Sequence, residues 1–176
     1  MDGVDFEAHI RDIPDWPEPG ILFKDITPLL AHPGAFSAAI TAMAAPYAES
    51  GITKVVGIEA RGFILAAPIA DRLNAGFVPI RKAGKLPYDI HHQEYALEYG
   101  TDRIEVHSDA VGSNDRVLIV DDVLATGGTG SASIRLVEAL GATVAGFVVL
   151  IELGFLGGRA KLNGAPVHTV LHYGPS

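Results

Sequence analysis

The sequence predicts an α/β domain with a mainly parallel central sheet flanked by helices. Three observations carry that prediction. Short β-rich apolar runs, Lys54–Ile58 (KVVGI), Gly76–Ile80 (GFVPI), Arg116–Val120 (RVLIV) and Thr143–Ile151 (TVAGFVVLI), alternate with segments of helical character. Several of these runs lack polar alternation, as strands covered on both faces do. The polar, glycine-bearing segments Glu59–Gly62, Arg81–Lys85 and Asp121–Thr129 each follow a strand. In such sheets that is the rim where ligands bind, so segments distant in sequence can converge there.

Taken in order, Asp5–Ile13 reads as a short amphipathic helix ended by Pro14, and DWPEPGILFKDITPLL, which follows Pro14 and has prolines at 17, 19 and 28, as an ordered loop. Pro33–Ser50 is an Ala-rich helix, Lys54–Ile58 a buried strand, and Gly62–Leu73 a helix containing Pro68. After the strand Gly76–Ile80, the stretch RKAGKLPYDIHHQEYALEYG is polar, basic at its start and without clean periodicity. Strands follow at Arg103–His107 and Arg116–Val120. A helix over Thr129–Leu140 has Ile134, Val137 and Leu140 on its apolar face and is closed by Gly141, before the strand Thr143–Ile151.

Composition narrows the function classes. A chain of 176 residues that is 48% hydrophobic and 19% charged is expected to fold as one domain, residues 1–176. A net charge of -8 argues against a nucleic-acid surface, though not against a local basic pocket. The absence of cysteine removes disulfides, thiolate catalysis and Cys-based zinc sites. MDGVDFEAHIRDIPDW has no apolar h-region, and no apolar run approaches the ~20 residues of a bilayer span. The expectation is a cytoplasmic protein with neither membrane nor nucleic acid as partner. Of seven histidines only His91 and His92 are close together, and neighbours in sequence do not share a face, so no metal site is read there.

The chemistry concentrates in VLIVDDVLATGGT (117–129). Ala125, Thr126, Gly127, Gly128 and Thr129 follow a strand and open a helix, where backbone N–H groups cradle phosphate. A P-loop would need Lys-Ser/Thr after the last glycine, and Gly130 is followed by Ser131-Ala132; a dinucleotide G-x-G-x-x-G fails at Ser133. Asp121 and Asp122 place two negative charges beside this anion cradle. That makes sense if they accept hydrogen bonds from sugar hydroxyls, or hold Mg²⁺ that neutralises further phosphates. Both readings point to a phosphorylated sugar. Arg61 in EARG and the trio Arg81, Lys82 and Lys85 are local cations in an acidic chain, suited to a multi-oxygen anion.

Apolar strand, two acids and T-G-G-T together resemble the phosphoribosyl-pyrophosphate (PRPP) motif of type I phosphoribosyltransferases. PGILFKDITPLL (19–30), GIEARGFILAAPIA (57–70), IRKAGKLPY (80–88) and YALEYGTDRIEVH (95–107) resemble the adenine phosphoribosyltransferase family in particular. The resemblance implies the type I phosphoribosyltransferase fold, with an N-terminal hood (about 1–30) over the base and a flexible catalytic loop (about 82–98). It implies a purine-salvage transferase that converts adenine and PRPP to AMP and pyrophosphate with Mg²⁺, as a homodimer. Glu59, Ala60, Arg61, Arg81, Lys82 and Lys85 would then bind pyrophosphate. Asp121, Asp122 and Ala125–Thr129 would bind the ribose 5-phosphate of PRPP or AMP, and Leu22 and Lys24 adenine. Glu98 would aid proton movement at the base, with Tyr99, Arg61 and Lys85 completing the catalytic set. Mg²⁺ would be held mainly through PRPP and water, with Asp121 or Asp122 the candidate protein ligand. ELGFLGG (152–158) would wall the base pocket. Another purine such as xanthine or hypoxanthine, or a non-catalytic PRPP-sensing regulator, are the competing readings.

Overall fold

The computed structural model describes residues 4–97 and 100–174. The chain divides into two compact units, Met1–Ala42 and Met43–Ser176.

In the N-terminal unit, a single 3-10 turn (Glu7–His9) leads into a hairpin of β1 (Arg11–Pro14) and β2 (Leu22–Asp25), followed by the short helix α1 (Thr27–Ala31). The helix expected over Asp5–Ile13 is therefore a single 3-10 turn followed by the first residues of a strand. Ile13 pairs with Phe23, and the ion pair Lys24–Asp12 (2.7 Å) crosses the hairpin, so pairing overrides the local helical pattern. The loop expected between the prolines carries β2 and α1; Pro28 lies in the first turn of α1, where a missing N–H costs nothing. Trp16 stacks edge-on against Phe23 at 4.5 Å. Helix α2 (Pro33–Ala44) runs across the division between the units. It stops short of the expected Ser50 because Pro46 cannot continue the ladder, and a 3-10 turn (Ala45–Tyr47) replaces its last turns.

The larger unit holds β3 (Lys54–Ile58), α3 (Arg61–Arg72), β4 (Gly76–Lys82), β5 (Ile90–Ala96), β6 (Thr101–His107), β7 (Arg116–Leu124), α4 (Gly128–Ala139), β8 (Thr143–Leu153) and β9 (Val167–Tyr173). Its sheet runs β5-β6-β4-β3-β7-β8-β9. The five strands from β4 to β9 are parallel, while β6 is antiparallel to both β4 and β5. The expected α/β class with a mainly parallel sheet is what the chain adopts.

Alternation along β3 divides the core between the two faces. Val56 and Ile58 join Val78, Ile119, Val149 and Val137 in a cluster beneath α4. On the other face, Gly57 lies so close to α3 that a Cβ there would sit 2.8 Å from Ala66. Helix α3 buries Gly62, Leu65, Ala66, Ile69 and Ala70, the i, i+3, i+4 stripe of a core-facing helix, and continues past Pro68.

In the larger unit two strands went unread in the sequence. β9 adds a parallel edge strand, and β5 occupies part of the stretch that lacks clear periodicity, paired along its length with β6. β7 also runs through Asp121 and Asp122 to Leu124 rather than ending before them. No helix among the described residues is long and apolar enough to cross a membrane.

Candidate active site

Because β4, β3 and β7 are parallel neighbours, their carboxyl ends lie side by side. The three segments singled out in the sequence lie at or just beyond those ends, and side-chain contacts join them in pairs.

Glu59, just beyond β3, draws the basic segment after β4 toward the rim. Its carboxylate accepts from Arg81 Nε at 3.3 Å and from the Lys82 backbone N–H at 2.9 Å, and it pairs with Lys85 Nζ. Burial pushes its carboxyl up, but the Lys85 hydrogen bond, the Lys82 amide and the charges of Lys85 and Arg81 outweigh that and hold it below its ordinary value. Glu59 thus gathers cations, and an incoming anion would meet those cations and the adjoining backbone. The Glu59–Ala60 peptide between β3 and α3 is cis.

Two acids absent from the sequence reading support the same segment. Asp102 on β6 accepts from Lys82 Nζ (3.0 Å) and from the Tyr95 hydroxyl (3.1 Å). Buried Glu105 accepts from the Gly84 N–H at 3.0 Å and pairs with Arg103 at 2.7 Å. Tyr95 also hydrogen-bonds the side chain of Thr129, linking β5 to the start of α4. The signal for these residues was the period-2 pattern of 90–96 and 101–107, legible only once the two runs are paired.

At the end of β7 the two acids part company. Asp122 is buried and its Oδ2 lies 2.5 Å from Arg61 Nε at the start of α3. Asp121 instead lines an open pocket together with residues Val123 to Gly130 and Phe147. Burial, and then the charge of Asp122, push its carboxyl well above the ordinary carboxylate range, with Arg61 pulling partly against them.

The pocket floor is the amino end of α4. Gly127 sits at the N-cap with φ 80° and no side-chain cap, so the first N–H groups of the helix face the pocket uncapped. The left-handed conformation suits glycine, and space requires it as well: a Cβ on Gly127 would lie 2.3 Å from the Gly158 carbonyl oxygen. An acid that can accept from hydroxyls and a set of free amide donors that suit phosphate therefore share one cavity. Glu152, in the tail segment expected to wall a base pocket, is buried and engaged by Arg159, whose hydrogen bonds hold its carboxyl below the ordinary value.

Leu22 and Lys24 lie on β2 of the N-terminal unit, Leu22 exposed and Lys24 paired with Asp12. Glu98 and Tyr99 fall outside the described residues.

The state of Asp121 has a thermodynamic consequence. Since its folded-state value lies above the unfolded one, ionisation there opposes folding at neutral pH, and that penalty fades as pH falls toward the ordinary carboxylate range. Asp121→Asn should therefore raise the urea midpoint of the ligand-free protein at about pH 7, with the gain shrinking toward about pH 4. An unchanged or lowered midpoint at neutral pH would contradict the assignment.

Comparison with known proteins gives the same architecture a family. The phosphoribosyl transferase domain family matches residues 26–163. The adenine phosphoribosyltransferase of Streptomyces coelicolor is 59% identical over 168 residues, covering 93% of this chain and 92% of that protein. Its counterpart in Thermobifida fusca is 61% identical over 156 residues, 89% of each. Among solved structures, the adenine phosphoribosyltransferase of Rhodothermus marinus superposes with a TM-score of 0.92 at 58% identity over 96% of both chains. The Saccharomyces cerevisiae enzyme, solved with an imino-altritol bisphosphate and adenine, gives 0.90 at 40% identity over 95% of this chain and 97% of that one. On the strength of these likenesses, with which its sheet order agrees, the chain belongs to the phosphoribosyltransferase family, in its adenine phosphoribosyltransferase branch.

Proposed function

We propose that this chain transfers the phosphoribosyl group of PRPP to adenine, giving AMP and pyrophosphate, as a cytoplasmic, homodimeric enzyme of purine salvage. The observation that carries the reading is the shared cavity of Asp121 and the uncapped amino end of α4. It suits a ligand with hydroxyls at one end and phosphate at the other.

The reaction displaces pyrophosphate from C1 of the ribose by a nitrogen of the base. Positive charge develops on the sugar while negative charge grows on the leaving group, so positioning and electrostatics supply most of the acceleration. Ala125–Thr129 holds the 5′-phosphate through backbone N–H groups and the Thr126 and Thr129 hydroxyls. Asp121 and Asp122 take the ribose hydroxyls, and their charge favours the cationic sugar. Arg61, Arg81, Lys82 and Lys85, beside the Glu59–Ala60 backbone, stabilise pyrophosphate as it leaves.

Arg61 begins paired with Asp122. Arriving pyrophosphate offers it a second anionic partner, and that competition loosens Asp122 for the sugar. The segment 82–98, anchored at its start through Glu59, Asp102 and Glu105, closes over the reacting atoms and excludes the water that would hydrolyse PRPP. We assign adenine to Leu22 and Lys24, within a hood of about residues 1–30. Glu98, beside Tyr99, assists proton movement at the base.

The donor set fits Mg²⁺. Asp121, a hard oxygen donor, lines the proposed phosphate cradle with Asp122 next to it in the chain, and no group of three or more metal-ligating side chains occurs among the described residues. An ion held chiefly by substrate oxygens and water, with one carboxylate, matches the usual coordination of Mg²⁺. When bound it would supply charge neutralisation on pyrophosphate.

Base preference is the first test. Adenine should exceed hypoxanthine and xanthine by at least ~100-fold in kcat/KM, because a 6-oxo group mismatches a buried polar edge built for an amine. Comparable turnover of hypoxanthine would overturn the choice of base, and binding of PRPP without turnover of any base would overturn the enzymatic reading. The second test is Asp121→Asn with Asp122→Asn. The double variant should keep its circular dichroism spectrum and lose at least ~100-fold in kcat/KM for PRPP; near-normal turnover would refute the ribose assignment.

A further inference from the structure

The phosphate loop is held from below by a segment that lies about thirty residues further along the chain. Ala125–Gly127 and Gly158 meet backbone to backbone. A Cβ on Gly158 would lie 2.2 Å from the Ala125 carbonyl oxygen and 2.9 Å from Gly127 N, while one on Gly127 would lie 2.3 Å from the Gly158 oxygen. Neither position has room for a side chain, and in both cases the obstacle is backbone that cannot rotate aside. Gly157 next door adopts the left-handed conformation (φ 65°), yet has nothing within 4 Å of a built Cβ. Of the two consecutive glycines, one makes the turn and the other makes room for the loop.

The underlying segment is itself fixed. Arg159 donates through Nε and Nη2 to the buried carboxylate of Glu152 at the end of β8 (2.9 and 2.5 Å), and through Nη1 to the Val167 carbonyl on β9 (3.2 Å). Leu162 is fully buried and reaches the first turn of α4, where a Cβ on Gly130 would lie 2.9 Å from its Cδ2. The connection between β8 and β9 therefore touches the phosphate loop at Gly158 and the helix behind it at Leu162, with Arg159 tying it to the sheet.

We infer that Gly158 is a positioning residue for phosphate binding: the Gly158–Leu162 segment, fastened to the sheet by Arg159 and Glu152, sets the height of the Ala125–Thr129 loop and the aim of its N–H groups. The inference deepens the proposed function and rests on its assignment of the 5′-phosphate to that loop. Amide donors depend steeply on distance and angle. Displacing the loop by the fraction of an ångström needed to admit a methyl should weaken the phosphate end of the substrate and leave the base end alone.

The test uses the full chain. Gly158→Ala should raise the KM for PRPP at least ~10-fold while shifting the KM for adenine, measured at saturating PRPP, by no more than about 2-fold. Calorimetric affinity for ribose 5-phosphate should fall by a similar factor, a readout independent of turnover. Gly164→Asn, in the same β8–β9 connection, whose side chain enters open space in a backbone region asparagine tolerates, should match the wild type in both. If Gly158→Ala does not fold, Arg159→Gln decides: it removes the anchor without crowding the loop and should raise the PRPP KM selectively, by a few-fold. A folded Gly158→Ala protein with unchanged affinity for ribose 5-phosphate would overturn the inference. So would equal rises in both KM values, or, where only Arg159→Gln folds, an unchanged PRPP KM. A wild type that binds ribose 5-phosphate but does not turn over adenine with PRPP would sink the proposed function while leaving the role of Gly158 intact.

Discussion

Two adjacent carboxylates at the end of a strand buried on both faces need counter-charge, and the arrangement around β7 answers that need in two ways. Arg61, the first residue of α3, supplies a cation to Asp122 at 2.5 Å. Asp121 accepts the Asp122 backbone N–H at 2.9 Å and feels the charge of Arg61, yet burial beside its neighbour still lifts its carboxyl well above the ordinary range. The ligand-free site is therefore electrostatically unfinished at Asp121. Donors from a sugar, or a cation carried in with phosphates, complete it. Stability given up in the empty protein becomes selectivity for ligands that bring the missing partners.

The second constraint is steric and belongs to the backbone. An anion cradle needs free N–H groups aimed at one point, which α4 provides because its N-cap is a glycine without a capping side chain. Aim requires a fixed loop, and the glycine contact with the β8–β9 connection fixes it without placing any side chain in the pocket. The basic segment at the end of β4 follows the same logic with charge in place of shape: Glu59, Asp102 and Glu105 hold its cations and two of its amides at the rim, so Arg81, Lys82 and Lys85 are gathered before any anion arrives. The cost of keeping like charges together is offset by acids that do not themselves face the pocket.

Much of this was legible in the sequence, for identifiable reasons. Strands β3, β7 and β8 and helices α3 and α4 announce themselves because parallel strands buried on two faces are continuous apolar runs and core-facing helices carry a stripe. The three rim segments were found because each pairs polar residues with glycine directly after such a strand. β5 stayed hidden because its hydrophobic alternation is weak: Ile90 and Tyr95 are separated by polar residues, and its order comes from pairing with β6. β1 read as helix because four residues of strand are specified by their partner rather than by their own pattern. The division of labour between Asp121 and Asp122 was out of reach, since it depends on where Arg61 lies after folding. The role of Gly158 was out of reach too: GG reads as a flexible turn until the loop that crosses it is in place.

The central claim is that one pocket recognises both ends of a sugar phosphate, the hydroxyls by carboxylate and the phosphate by helix N–H groups. Calorimetric titration with ribose 5-phosphate and with 2-deoxyribose 5-phosphate, at one pH and one ionic strength, tests it most directly. Loss of a single hydroxyl that donates to a carboxylate should weaken binding at least ~5-fold, because hydrogen bonds to charged groups are worth more than neutral ones. Equal affinity for the two sugars would mean that the acids do not read the ribose, and the account of this site would fail.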